Sequence, residues 1–269
     1  MLGSRARGWR VLAGTTVGAA GLVLTTATQV SADPANYPTA YRFAGMPTVG
    51  ALFHGPTDSG SHYCSASVVD SNSQDLILTA AHCVTGRGTS LVFVPDYRDG
   101  TDPYGLWDVT AAYADSAWIS KQNSQDDFAF LRVKPGSGQK HTLQQEVGGN
   151  RLTINRSYKL RTRVVGYTEG NDDEPIRCTN GTYDYYRYVG FHCYGYVGGT
   201  SGGPFLVDIN SSTDRGDVDG VIGGLHQGGC DNWTSYSSYF GPAVQSLYNT
   251  ANAGQDPAGL PAPKSDGCP

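Results

Sequence analysis

Apolar residues in this chain come in short runs and not at helical spacing. Strand-like runs recur at residues 48–53, 66–69, 76–79, 91–94, 127–133, 163–167, 204–207 and 221–225, with Gly, Asn, Asp and Ser between them. Those separators accept tight turns. Many short strands with turn punctuation predict an all-β fold, a sandwich or barrel. One segment has helical character, residues 241–252 near the C-terminus. Residues 253–269 are rich in Pro and Gly and read as an extended tail. There is no internal repeat and no linker that demands a second domain.

Ahead of the first strand the pattern changes. Residues 1–10 are basic, residues 11–27 are small, apolar and uncharged, and Val30-Ser31-Ala32 puts small side chains where a signal peptidase reads. Residues 1–32 therefore read as a signal peptide cleaved before Asp33, and the protein as secreted. Gly14, Thr15, Thr16, Gly18 and Gly21 interrupt the apolar run, which argues against a membrane anchor. Arg5 and Arg7 are not adjacent, so a twin-arginine route is not indicated. Residues 33–42 then form a short N-terminal extension or propeptide.

Composition narrows the function. The full chain carries a net charge of −5, and loss of a basic leader makes the remainder more acidic. An acidic chain without a basic cluster excludes nucleic acid or an anionic membrane as the main partner. The 17 Tyr and 4 Trp indicate a packed core, not disorder. The 36 Gly show no Gly-X-Y period, so collagen is excluded. Six cysteines, an even number in an exported chain, predict three disulfides. No Cys-x-x-Cys pair is present, and neither a metal nor a cofactor is expected. The acidic run at 171–174 lacks the alternate spacing of calcium loops and reads as a solvated loop. Six tyrosines within 183–196 read as packing on a β surface. Acceptor tripeptides at Asn155, Asn180, Asn210 and Asn232 matter only if the source glycosylates its secreted proteins.

Three motifs carry chemistry: Thr79-Ala80-Ala81-His82-Cys83, Asp127-Phe128-Ala129-Phe130-Leu131 and Gly199-Thr200-Ser201-Gly202-Gly203-Pro204. A serine hydroxyl is a weak nucleophile and needs a base to take its proton. Histidine suits that role because its ordinary pKa lies near neutrality. A carboxylate can fix the imidazole tautomer and stabilise the imidazolium that forms. Glycines around the serine let backbone N–H groups converge on a developing oxyanion. The α/β-hydrolases also use Gly-x-Ser-x-Gly, but in the order Ser, acid, His. Only His226 follows Ser201, and no alternation of strand and helix accompanies it.

With these residues in the order His, Asp, Ser, the chain resembles the chymotrypsin-like, or trypsin-like, serine peptidases from about residue 43 to residue 249. The resemblance implies a peptidase domain over 43–252, built as two antiparallel six-stranded β-barrels split near 140–155 and followed by a short C-terminal helix. It implies Ser201 as nucleophile, His82 as general base then acid, and Asp127 as orienting carboxylate. The N–H groups of Gly199 and Ser201 would form the oxyanion hole. It also implies a monomer acting on protein or peptide substrates, without a membrane partner after signal cleavage. Cys64–Cys83 is the disulfide the family match suggests. Cys178–Cys193 would close a loop ahead of the serine motif, which leaves Cys230–Cys268. A binding module on the same fold would usually have lost a triad member, and all three are present.

Specificity is less determined. Six positions before Ser201, where trypsin proper has an aspartate, stands Gly195, so Arg and Lys substrates gain no charge partner. Residues 220–229 look like the substrate-binding strand. There His226, followed by Gln227, Gly228 and Gly229, resembles the bacterial glutamyl endopeptidases, in which such a histidine holds a substrate carboxylate. Two other readings stay open: His226 as a structural residue on a strand end, and an apolar pocket lined by the tyrosines beside Gly195. Many relatives place an aspartate before the nucleophile to pair with the new N-terminal ammonium. Thr200 stands there and cannot form that ion pair.

Overall fold

The computed structural model describes residues 36–55, 62–136, 139–169 and 174–268. The segment read as a signal peptide, and residues 171–173 of the acidic loop, lie outside them.

Six strands form a closed barrel: β2 (Val49–His54), β3 (Cys64–Val68), β4 (Leu76–Thr79), β5 (Leu91–Pro95), β6 (Trp107–Ala114) and β7 (Ala129–Pro135), paired in the order β2-β3-β4-β7-β6-β5. Alternate side chains of a strand face opposite ways. Leu52 and Phe93 turn into one core cluster with Trp107 and Leu131. Their neighbours Ala51, Phe53, Val92 and Val94 turn into another, shared with Val165, Leu206 and Val218 of the second sheet. Burial on both faces explains why these strands read as continuous apolar runs.

The second sheet contains β1 (Tyr41–Arg42), β8 (Arg151–Leu152), β9 (Arg161–Gly166), β10 (Ile176–Tyr185), β11 (Tyr188–His192), β12 (Pro204–Asn210), β13 (Arg215–Val221) and β14 (Thr234–Ser238). Its order is β14-β11-β10-β9-β12-β13-β8, with β1 paired to β10. The expected second closed barrel is thus an eight-stranded sheet whose β13 and β14 meet without a regular ladder. At that seam the Val221 N–H donates to Ser237 Oγ (3.0 Å) and the Gly223 N–H to the Tyr236 carbonyl (2.9 Å). A Cβ at Gly220 would stand 2.6 Å from Ser237 Oγ, so glycine permits this close approach.

The predicted helix is present as α3 (Pro242–Ala253), preceded by two short helices that the apolar pattern did not reveal. In α1 (Ser116–Lys121) the Asp115 side chain caps the Ala117 N–H at 2.7 Å. In α2 (Leu143–Val147) Thr142 and Gln145 form a capping box. No helix among the described residues is long and apolar enough to cross a membrane.

Both flanking segments pack on this body. The Tyr194 N–H donates to the Pro38 carbonyl and the Ala40 N–H to the Tyr194 carbonyl, each at 2.8 Å. Beyond α3, Leu260 exchanges backbone bonds with Gly86, and the Ala258 N–H donates to the Ala112 carbonyl.

Candidate active site

Strand β4 ends at Thr79 and a 3-10 turn, Ala81–Cys83, carries His82. The turn is held by its neighbour, because Cys83 is bonded to Cys64 at the start of β3. Asp127 sits between the 3-10 turn Ser124–Asp126 and β7, and it is fully buried. A buried carboxylate requires hydrogen-bond donors. Asp127 Oδ1 accepts from the His82 backbone N–H at 2.9 Å. Asp127 Oδ2 accepts from His82 Nδ1 at 2.8 Å and from the Gly224 N–H at 2.8 Å. A carboxylate only accepts, so Nδ1 carries the proton and Nε2 of the neutral ring keeps its lone pair. That is the tautomer a base needs in order to take a hydroxyl proton.

Ser201 stands in the turn before β12. Its carbonyl accepts from the Ser65 N–H at 2.7 Å, and the Gly202 N–H donates to the Ile222 carbonyl at 2.7 Å. Gly202 has φ +81°, and Thr79 Oγ1 and the Ser65 carbonyl occupy the space a Cβ would need. The serine turn is therefore seated against the β3 and β4 ends that lead into the His82 turn.

The backbone before the serine is organised by Ser65. Ser65 Oγ donates to the Gly199 carbonyl at 3.0 Å and accepts from the Tyr167 N–H at 2.8 Å. The N–H groups of Thr200, Gly202 and Gly203 are bonded to carbonyls of Val197, Ile222 and Thr200. Among the described residues, those of Gly199 and Ser201 donate to no protein acceptor. Gly199 has φ +89°, with the Tyr167 carbonyl and the Glu169 N–H where a side chain would project.

Beside Ser201 lies a cleft of ≈ 320 Å³ whose lining includes Tyr196, Ile222, His226, Gln227, Gly228 and Asp266. Gly195 is outside that lining, and its N–H donates to the Asn232 carbonyl at 2.9 Å. Residues 220–229 are not the continuous strand expected. Strand β13 ends at Val221, and Leu225–Gly228 form a 3-10 turn in which His226 (φ 52°) and Gln227 (φ 52°) are left-handed. Gly224, at φ 81° and ψ −120°, turns the chain beyond the end of β13, and its N–H reaches Asp127. A left-handed non-glycine residue costs about 1–2 kcal/mol. Both side chains of this turn contact the tail: His226 Nδ1 the Asp266 carbonyl (2.9 Å) and Gln227 Nε2 the Lys264 carbonyl (2.6 Å). The Cys230–Cys268 disulfide anchors the same segment, and Cys178–Cys193 joins β10 to the residue after β11.

Among the described residues, two clusters bring a histidine close to cysteine sulfurs, Cys64/His82/Cys83 and His226/Cys230/Cys268. All four sulfurs are in disulfides, so neither cluster offers a thiolate ligand.

Sequence reasoning missed Ser65 as the organiser of the Gly199 backbone and Gly224 as a partner of Asp127. Nothing marks Ser65 apart from its place after Cys64, and Gly224 is hidden in a run of glycines.

A closed six-stranded barrel, a second β-sheet and few helices define a chymotrypsin-like fold. The protease Anisep from Arthrobacter nicotinovorans matches with a TM-score of 0.68 and 31% identity, covering 80% of this chain and 100% of that one. A thermostable serine protease, AL20, from an extremophilic microorganism matches with a TM-score of 0.64 and 24% identity, over 77% of this chain and 97% of that one. A Glu endopeptidase matches with a TM-score of 0.62 and 17% identity, over 81% and 98%, which speaks to the fold alone. Trypsin theta of Drosophila melanogaster is 38% identical over 69 residues, and the match spans 26% of this chain and 24% of that protein. The trypsin-like peptidase domain model matches residues 64–211. The chain belongs to the trypsin-like peptidase family and so is placed among the serine-type endopeptidases, a class of hydrolases.

Proposed function

We propose that this chain is a secreted, monomeric endopeptidase that cleaves protein or peptide substrates through Ser201, His82 and Asp127, with the peptidase domain spanning 43–252. The observation that carries the reading is the buried Asp127 carboxylate on both His82 Nδ1 and the His82 backbone N–H. It fixes the ring with Nε2 as acceptor. His82 Nε2 takes the Ser201 proton as Oγ attacks the substrate carbonyl, and the developing oxyanion is met by the Gly199 and Ser201 N–H groups. The imidazolium gives its proton to the leaving amine. Water then attacks the acyl-enzyme, with His82 again as base, and Ser201 is released.

An organophosphonate should label Ser201 in the wild type and fail to label Ser201→Ala. Labelling that survives Ser201→Ala and is lost with another serine overturns the assignment.

For the side chain before the cut, the reading is a preference for Glu or Asp with His226 as its reader, supported by the place of His226 in the same cleft as Ser201. Tyr196 and Ile222 in that lining support a second reading, an apolar or aromatic preference. A cleavage profile on a random peptide library separates them. Faster cleavage after Phe, Tyr or Leu than after Glu rules out the acidic reading.

A further inference from the structure

Residues 264–268 form a strap beside the cleft, held by a disulfide and by side-chain hydrogen bonds. The Cys230–Cys268 disulfide fastens one end. The Asp266 carbonyl meets His226 Nδ1, and the Lys264 carbonyl accepts from Gln227 Nε2. At the other end Gln122 grips the strap from the barrel side: its Oε1 accepts from the Lys264 N–H (2.7 Å) and its Nε2 donates to the Ala262 carbonyl (2.8 Å).

The two side chains the strap holds are the two in the left-handed turn of the cleft wall, and Asp266 itself joins the lining. The strap supplies a hydrogen-bond partner to each side chain of that turn. It also decides which ring nitrogen of His226 is spent. A carbonyl only accepts, so Nδ1 is the donor, and Nε2 then accepts in the neutral ring and donates to a carboxylate only when the ring is protonated.

We infer that Lys264–Cys268 is a specificity-determining wall of the substrate cleft, acting by positioning His226 and Gln227. The inference rests on Ser201 being the nucleophile beside that cleft, while it is separate from the identity of the preferred side chain. The strap sets how the cleft discriminates and leaves the His82–Asp127 pair untouched.

The test uses the full chain with Cys230→Ser and Cys268→Ser together, and separately Gln122→Gly. Glycine keeps the left-handed backbone of Gln122 (φ 51°) while deleting both of its strap bonds. Each protein is read in three ways: thermal unfolding, phosphonate labelling of Ser201, and the ratio of cleavage after the most favoured residue to cleavage after the other classes in a random peptide library. The expected result for the double serine variant is retained labelling with a selectivity ratio reduced about tenfold or more, the effect of losing one well-made hydrogen bond to substrate. Gln122→Gly should lower the ratio several-fold in the same direction. If the double variant does not fold, Gln122→Gly decides alone. An unchanged ratio in folded variants, or a wild type without selectivity at that position, overturns the inference. Absence of phosphonate labelling in the wild type instead overturns the peptidase reading beneath it.

Discussion

Ser65 and Gly199 are separated by 134 positions in the chain, yet the Ser65 hydroxyl donates a 3.0 Å hydrogen bond to the Gly199 carbonyl inside the protein. The same oxygen accepts from the Tyr167 N–H, so one side chain in the barrel orders two loops of the second sheet. Ser65→Ala leaves a buried carbonyl and a buried N–H without this partner. The expected loss is about 1–3 kcal/mol of stability, read by urea denaturation, together with slower phosphonate labelling. Unchanged labelling would show that the Gly199 peptide is held by other means.

Asp127→Asn tests the tautomer argument. An amide has one acceptor oxygen and one NH₂ group in place of two acceptors, so it cannot satisfy the His82 backbone N–H, His82 Nδ1 and the Gly224 N–H together. Turnover should fall on the order of 10⁴-fold while the folded protein still binds substrate. Steady-state kinetics on the preferred peptide reads the split: kcat falls and KM moves little.

Activation should not require an ammonium–carboxylate pair at residue 200. Thr200 is buried, and its hydroxyl donates to the Val197 carbonyl at 2.7 Å, closing the turn before Ser201 locally. Adding a few residues ahead of Asp33, the start expected from signal cleavage, should preserve the active-site titre, whereas Thr200→Val should lower it. Loss of nearly all titratable sites on extension would contradict this, provided that the added residues do not block the cleft.

Asp219 makes stability depend on pH in the unusual direction for an acid. Burial pushes its carboxyl up to about 7, with Arg156 opposing the shift. The folded state therefore binds the proton more tightly than the unfolded chain. The stabilisation is fully present below the ordinary carboxyl range, near pH 4, and is lost as pH rises through about 7. Asp219→Asn, which stays neutral, should be more stable than the wild type at pH 8 by up to about 4 kcal/mol. The gain should vanish below pH 4. Equal denaturation midpoints at pH 8 would refute the shift.

What the sequence made legible follows from local chemistry. Runs such as 76–79 and 91–94 matched β4 and β5 because both faces of those strands are buried and nothing polar interrupts them. Strands β10, β11 and β14 do not show as apolar runs, and the tyrosines of 183–196 alone marked a β surface there: their tyrosines, threonines and serines carry polar atoms that satisfy one another and the backbone across the sheet, as His192 does with Thr234. The run at 221–225 misled for the opposite reason. Its apolar residues suggest a strand, but the φ of Gly224 and the needs of the Asp127 carboxylate turn the chain away. The motifs of the site were visible because chemistry fixes residue types there. Ser65 and the strap were invisible because their role is carried by hydrogen bonds to backbone carbonyls and N–H groups at a distance, which no side-chain pattern records.

The division of the fold has a consequence for timing. His82 and Asp127 belong to the barrel, which is complete within residues 49–135, whereas Ser201 belongs to the second sheet. Consider a chain in which the barrel alone has folded. At that stage it holds the proposed base and carboxylate with no hydroxyl to act on. The second sheet alone holds a hydroxyl with no base. On the proposed triad, proteolytic competence therefore waits for the later half of the chain to dock, and it reports the completion of folding.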